Sequence, residues 1–332
     1  MLKIELKYML SYSKCSEIVE NHLSLFSFER NPVELYQPVK YILSIGGKRI
    51  RPCLALMSHS LFSDSVDPVI EPALGIEVFH NFTLLHDDIM DKATVRRNSP
   101  TVHVKWDENA AILSGDAMLI LAYQLISRAQ PELLPQVFSL FNKTALEVCE
   151  GQQLDMNFEN QSDVSVDDYL EMIRLKTAVL IAASIAMGGI TANAHSSDID
   201  NLYQFGLNIG MAFQLQDDYL DVFACNRQFG KVIGGDIITN KKTFLMISAL
   251  HSSDKKLVAE LRSWITGLRA DQDEKIRAVK KIYETLQIPA ITNALVKNYF
   301  TTGLKYLNEV KADKKKKTPL IEFITQIMER DY

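Results

Sequence analysis

Glu77-Val78-Phe79-His80-Asn81-Phe82-Thr83-Leu84-Leu85-His86-Asp87-Asp88-Ile89-Met90-Asp91 reads as an apolar helical stretch that ends in three aspartates. The closing D-D-x-x-D returns at Asp217-Asp218-Tyr219-Leu220-Asp221, behind the apolar stretch Met211 to Leu215. Residues four apart share a helix face, so Asp87 and Asp91 point one way, as do Asp217 and Asp221. Like charges at that spacing destabilise a bare helix by roughly 0.2–0.5 kcal/mol per pair. Such clusters beside apolar sequence make physical sense if a cation sits against them. Magnesium suits, because it takes oxygen ligands and shares them between a carboxylate or two and substrate phosphates. One D-D-x-x-D on a surface helix is commonly just solvated charge; the joint occurrence is what points to metal.

Outward from these clusters the pattern is helix after helix. Asn31-Pro32 with Glu34 reads as an N-cap, a first-turn proline and an early acid. Pro38 reads as a restart, and Gly46-Gly47 as the stop. Apolar-periodic stretches cover about 52–64, 70–92, 108–128, 131–158, 166–194 and 198–225. Others cover about 241–252, 254–269, 272–286, 289–311 and 318–330, with caps at Ser165 to Asp168 and at Thr318-Pro319. Alternating strand runs and short tandem repeats are absent. With 14 glycines and 10 prolines in 332 residues, a turn-rich β architecture is disfavoured. No linker divides the chain, which predicts one all-α domain over 1–332.

Composition excludes other classes. A net charge of −5 with scattered basic groups is no nucleic-acid footprint. Cys15, Cys53, Cys149 and Cys225 form no CxxC pair, so a reducing cytoplasm is the default. No unbroken apolar run of 18 residues and no signal pattern occurs, which predicts a soluble protein without stable membrane insertion. Lys314 to Lys317 reads either as a solvated helix connection or as a membrane-surface or lid element.

Cationic groups are distributed. Gly46-Gly47-Lys48-Arg49-Ile50-Arg51-Pro52 combines free backbone with three cations, which suits a highly charged oxyanion, or simply a helix C-terminus. Arg96-Arg97 follows the first acid cluster; alone, the pair reads equally as a surface salt-bridging couple. His80 lies two turns before Asp87 on nearly the same face, where a lone histidine is usually structural. The second half supplies Lys176-Thr177, Gln214, a glycine-flanked Lys231 in Phe229 to Asp236, and Lys241-Lys242-Thr243. Two acid clusters and several separate cationic groups together suit two diphosphates, one held through metal and one held directly.

This ordered set resembles the trans-isoprenyl diphosphate synthases (the polyprenyl synthetase family), of the short-chain farnesyl and geranylgeranyl type, over nearly the whole chain. The motifs are GGKRIRP at 46–52, ExxHxxxLLHDDIMD at 77–91, RR at 96–97 and GQQLD at 151–155. KT at 176–177, FQLQDDYLD at 213–221, FGKVIGGD at 229–236 and KKT at 241–243 complete it. The resemblance implies an isoprenoid synthase fold, long antiparallel helices around a deep cavity, as a homodimer. It implies that Asp87 and Asp91 ligate magnesium on the allylic diphosphate and that Asp217 holds a further ion. Asp88, Asp218 and Asp221 would ligate or support, and three ions would gather with substrate bound. Lys48, Arg51, His80 and Arg97 match groups that bind isopentenyl diphosphate. Arg96, Lys176, Lys231 and Lys241 match those that grip the allylic diphosphate (dimethylallyl, geranyl or farnesyl), with Thr177 and Gln214 near the reacting carbon.

The implied reaction is ionisation of the allylic diphosphate, attack by the isopentenyl double bond, and loss of a proton to the departing diphosphate. The resemblance makes Phe82 a tunnel floor, about 7.5 Å along the axis before Asp87, and Phe82-Thr83 looks more like a C20 than a C15 arrangement. On a straight helix, however, Phe82 falls about 160° from the aspartate face at ~100° per residue. Thr83 and Phe79 are the other candidates, and Phe79 and Phe82 also read as ordinary core. A medium- or long-chain synthase and a non-catalytic subunit of a heteromeric synthase are the alternatives. A terpene cyclase would have no use for the isopentenyl diphosphate groups, and a structural helical protein would not need the distributed cations.

Overall fold

With glycine and proline scarce, little interrupts helical propagation, and the periodic apolar stretches fold as helices. The computed structural model describes residues 10–26, 30–224, 234–267 and 271–329. The order begins α1 (Tyr12–Ser24), α2 (Val33–Ser44), α3 (Ile50–His59) and α4 (Asp67–Met90). A two-residue hairpin, β1 (Val95–Arg96) and β2 (Ser99–Pro100), precedes α5 (Val102–Lys105) and α6 (Glu108–Ile126). Then come α7 (Leu134–Asn160), α8 (Val166–Ile173), a π-helical turn (Arg174–Ala178), α9 (Val179–Thr191) and α10 (Ser196–Phe223). The last are α11 (Gly235–Ile238), α12 (Phe244–Leu250), α13 (Lys255–Thr266), α14 (Gln272–Thr285), α15 (Ile288–Glu309) and α16 (Lys314–Met328). The all-α expectation holds.

The chain divides into two compact units, each drawn from three stretches. The first comprises 1–143, 180–203 and 309–323. In it α4 packs against α3 and α6, burying Ile76, Phe79 and Leu85, and the ring of Phe79 meets that of Phe141 edge-on at 5.3 Å. The second comprises 144–179, 204–308 and 324–332. One of its cores gathers Tyr169, Met172, Leu215 and Phe244; another gathers Leu245, Leu261, Val279 and Tyr283. By length and composition α6 and the stretch Val166–Thr191 could each cross a membrane, but the latter is 83% buried inside the protein, as a core helix is.

Several details depart from the pattern. α1 is not legible as a helix in the sequence. Pro38 lies inside continuous α2 with its ring buried, and Pro32, not Asn31, takes the N-cap position without a side-chain bond. The hairpin is equally hidden, because two-residue strands carry no alternation; its turn, Arg97-Asn98, has φ of 51° and 60°, the left-handed pair such short loops require. The Ser165–Asp168 capping box forms as expected. α16 starts one turn before Thr318-Pro319, because the Asp313 carboxylate accepts the Lys315 N–H at 2.8 Å. Lys314–Lys317 are therefore its first turn rather than a connection; Lys316 pairs with Asp64 at 2.8 Å and Lys317 is buried.

Candidate active site

Both acid motifs end their helices: Asp91 is the C-cap of α4, and Asp217, Asp218 and Asp221 occupy the end of α10. The C-terminal end of a helix is its negative pole, where each carboxylate costs about 0.3–1 kcal/mol. Neither last turn carries a basic residue. The placement opposes stability and calls for a cation.

In the first unit Asp88 is only 1% exposed. Arg96 Nε donates to both its oxygens at 2.8 Å, Arg96 Nη2 approaches Oδ1 at 2.7 Å, and the same Nη2 lies 3.8 Å from Asp87. Burial raises the Asp88 pKa above the ordinary carboxylate value, with Arg96 opposing. Asp88 is thus a buried support, whereas Asp87 is half-buried and Asp91 exposed.

The GGKRIRP loop separates its three cations. Lys48 is exposed, and its carbonyl accepts from Tyr12 Oη at 2.6 Å. Arg49 turns inward with φ +45° and donates to Glu20 (2.8 Å), Glu77 (2.8 Å) and the Leu43 carbonyl (2.6 Å). Arg51, in the first turn of α3, donates from Nη1 to His80 Nε2 at 3.0 Å, while its buried Nε has no partner. A guanidinium can only donate, so His80 Nε2 accepts and its proton resides on Nδ1. Burial first, then Arg51, Arg97, Arg96 and Arg49, depress the His80 pKa well below the ordinary value. Arg51 is itself lowered to about 10, chiefly by burial, with Glu77 opposing and Arg97 reinforcing. The hairpin turn lets Arg97 donate to the Gly46 carbonyl, and Gly47, at φ +148°, leaves room that a Cβ would take from the Arg97 guanidinium. Lys48, Arg51, His80 and Arg97 thus belong to one loop, two helices and one hairpin of the first unit.

In the second unit Asp218 is 4% exposed. Tyr169 Oη donates to its Oδ2, and Gln214 Nε2 donates to its Oδ1 at 3.0 Å. Thr177 Oγ1 in turn donates to Gln214 Oε1 at 3.0 Å, which fixes the amide orientation and joins Thr177 to Gln214. Burial pushes Asp218 up to about 7, with Lys241 opposing, Asp236 reinforcing, and the Tyr169 and Gln214 bonds opposing. Lys176 and Thr177 ride on the π-helical turn, a distortion that recurs at functional sites. Gly151 of α7 lets that turn approach so closely that a Cβ would strike the Lys176 backbone. One turn further, Asp155 meets Lys176 Nζ at 2.5 Å. Asp221 accepts the Asp236 N–H at 3.0 Å, and Gly234 N–H donates to the Asp221 carbonyl at 2.7 Å, which ties the start of α11 to the end of α10. Lys241 N–H donates to the Asp236 carbonyl at 2.9 Å. Lys231 lies outside the described residues.

Among the described residues no three His, Cys, Asp or Glu side chains converge to cage a metal. Carboxylates in pairs, all oxygen donors, fit magnesium, which takes one or two carboxylates and completes its shell with water and phosphate. Of the chain-length candidates, Phe79 is buried, and Phe82 packs its ring between Phe79 (5.6 Å) and His86 (4.8 Å). That stripe runs along α4, with His86 seated over Gly115 of α6. Thr83 is half-buried and donates to the His80 carbonyl at 2.8 Å. Sequence reasoning quotes Glu77, Asp155 and Asp236 only as members of motifs and gives them no role of their own, and it misses Tyr169 and the inward role of Arg49 altogether.

The sequence and the fold also match known proteins. The polyprenyl synthetase family profile matches residues 32–286. A geranylgeranyl diphosphate synthase of Methanosarcina mazei is 35% identical over 303 residues, 91% of this chain and 91% of that one. A geranylfarnesyl diphosphate synthase of Natronomonas pharaonis is 35% identical, covering 95% of this chain and 96% of its own. A crystal structure of a geranylgeranyl pyrophosphate synthase superposes with a TM-score of 0.92 at 41% identity, covering 98% of this chain and 100% of that one.

Proposed function

This chain belongs to the polyprenyl synthetase family and is a prenyltransferase, and on that premise we propose the part each residue takes. The reaction joins isopentenyl diphosphate head-to-tail to an allylic diphosphate, gives an all-trans short-chain product, C20 in this reading, and releases diphosphate. The observation that carries it is the coexistence of two acid motifs at the negative ends of helices with a separate cationic group made by the GGKRIRP loop, His80 of α4 and Arg97 of the hairpin. An enzyme that ionises a single diphosphate has no use for that loop.

Lys48, Arg51 and Arg97 bind the isopentenyl diphosphate, with His80 donating from Nδ1. The unpartnered Arg51 Nε is a donor in reserve. Asp87, Asp91 and Asp217 would hold magnesium, three ions with substrate bound, and Asp221 adds an oxygen. Magnesium, when bound, neutralises charge on the diphosphate as the allylic carbon–oxygen bond ionises. Arg96, Lys176, Lys231 and Lys241 grip that leaving group. The oxygens of Thr177 and Gln214 face the developing allyl cation, a fixed dipole that needs no reorganisation. The proton lost after attack goes to the released diphosphate, and enclosure keeps water from the cation.

Product length lies in the aromatic stripe Phe79–Phe82 and in Thr83. The relatives' names span geranylgeranyl and geranylfarnesyl products, so one family scaffold stops chains at different depths. The enzyme acts in the cytoplasm as a homodimer of single-domain chains. An exposed apolar face of α6, with Ile112, Leu113 and Ile120 outward, supports self-association. The test is incubation with Mg²⁺, isopentenyl diphosphate and each allylic primer, followed by chromatography of the dephosphorylated products. Linear C20 alcohol is expected; no condensation product would overturn the reading. Phe82→Ala is expected to lengthen the product, and an unchanged distribution would move the stop to Phe79 or Thr83.

A further inference from the structure

Glu77 is an anion buried to 2% exposure on α4, where a carboxylate is costly unless paired. Its Oε1 accepts from Arg49 Nη1 at 2.8 Å and from Asn81 Nδ2 at 3.1 Å, and Asn81 also donates to the Glu77 carbonyl at 2.8 Å. Arg49 engages each of its three nitrogens, with Glu20, Glu77 and Leu43, and at 3% exposure it is out of a substrate's reach. It also holds a left-handed backbone, φ +45°, that a non-glycine residue adopts only when its surroundings enforce it.

The consequence is mechanical. Arg49 stands between Lys48 and Arg51, and it is the N-cap of α3, whose first turn carries Arg51. Fixing Arg49 to Glu77 sends Lys48 to the surface and aims Arg51 along α3 toward His80. His80 lies one turn after Glu77 on α4, so one helix face receives both bonds from the loop: Arg49 to Glu77 and Arg51 to His80. The carboxylate acts electrostatically as well. Burial and neighbouring arginines lower the pKa of both Arg51 and Arg97, and the Glu77 carboxylate is the largest influence opposing that in each, with Asp88 adding to it at Arg97.

We propose that Glu77, through Arg49, is a positioning residue that shapes the isopentenyl diphosphate subsite without touching the substrate; this rests on the functional reading above. It serves that diphosphate selectively, because its charged partner Arg49 belongs to the loop that carries Lys48 and Arg51, and not to the acid motif.

The experiment is steady-state kinetics of Glu77→Gln, which keeps the shape and removes the charge. KM for isopentenyl diphosphate should rise about tenfold or more, while KM for the allylic diphosphate stays within twofold and kcat at saturation within threefold. Glu77→Asp should recover part of the affinity. Equal rises in both KM values, or no rise in either, would overturn the proposal. Should Glu77→Gln fail to fold, Arg49→Lys is read the same way, since it keeps one of the three bonds. Calorimetric titration of isopentenyl diphosphate into wild type and variant separates this from the functional reading. If wild type binds it and the variant binds equally well, the positioning role fails whether or not condensation is seen. If wild type does not bind it at all, the functional reading falls and the proposal with it.

Discussion

The two D-D-x-x-D motifs are the same five-residue pattern supported in opposite ways. In each the central aspartate is buried and its neighbours are more accessible. Asp88 is answered by a full positive charge, the Arg96 guanidinium, from a hairpin eight residues on. Asp218 is answered by neutral donors, the Tyr169 hydroxyl and the Gln214 amide. A charged partner opposes the burial cost of a carboxylate more strongly than neutral donors do, although the Tyr169 and Gln214 bonds also favour the ionised form. Burial raises the central carboxylate of both motifs, with Arg96 opposing at Asp88, and at Asp218 it pushes the group up to about 7. Thr177 extends only the second support, which ties that aspartate to the groups assigned to the reacting carbon.

The largest expected effect falls on what the motifs share. Asp87→Ala and Asp217→Ala should each reduce turnover by about 10³-fold or more, the scale of several kcal/mol of lost charge stabilisation. Circular dichroism should show an intact fold, and thermal stability should hold or rise, because a carboxylate is removed from the negative end of a helix. A near-normal rate in either variant would break the metal assignment for that motif.

The acid residues are legible because their chemistry is local: spacing alone places Asp87 with Asp91 and Asp217 with Asp221. The long helices are legible for the same reason. What stays hidden depends on partners distant in the chain. Tyr169 looks like a core aromatic until it meets Asp218, 49 positions away. Arg49 looks like a third phosphate ligand until Glu77 and Glu20, 28 and 29 positions away, draw it inward. The π-helical turn is invisible because its extra residue leaves the apolar pattern of 166–194 almost unchanged. The hairpin holding Arg96 and Arg97 is hidden because two left-handed residues outside Asn-Gly carry little signal.

The next effects separate the motifs. Arg96→Gln removes the charged partner of a buried carboxylate and should cost about 3–5 kcal/mol of unfolding free energy. Urea denaturation measures it, and a loss below about 1 kcal/mol, the scale of an exposed ion pair, would mean that Asp88 is supported by something other than Arg96.

For the second motif the signature is pH. Asp218 has a folded pKa near 7 against an ordinary value of 3.8. The folded state therefore holds this proton more tightly than the unfolded chain does. Its stabilising contribution is fully present below about pH 4 and is lost as pH rises to about 7. Denaturation with magnesium chelated, comparing wild type with Asp218→Asn, should show the variant gaining relative stability across that window. Parallel curves would place Asp218 among ordinary carboxylates and erase the contrast with Asp88.

The smallest effect bears on the contrast most directly. Tyr169→Phe deletes one hydroxyl and leaves Asp218 Oδ2 without its donor, while Gln214 still serves Oδ1. An unsatisfied buried acceptor costs about 1–3 kcal/mol. Here the carboxylate has an escape: pushed up to about 7, it can take up a proton and shed part of that cost. Tyr169→Phe should therefore cost less than Arg96→Gln at about pH 7, and its cost should shrink as pH falls to about 6. If it equals or exceeds that of Arg96→Gln, Asp218 is as firmly ionised as Asp88, and the difference between the motifs is one of partners and not of charge.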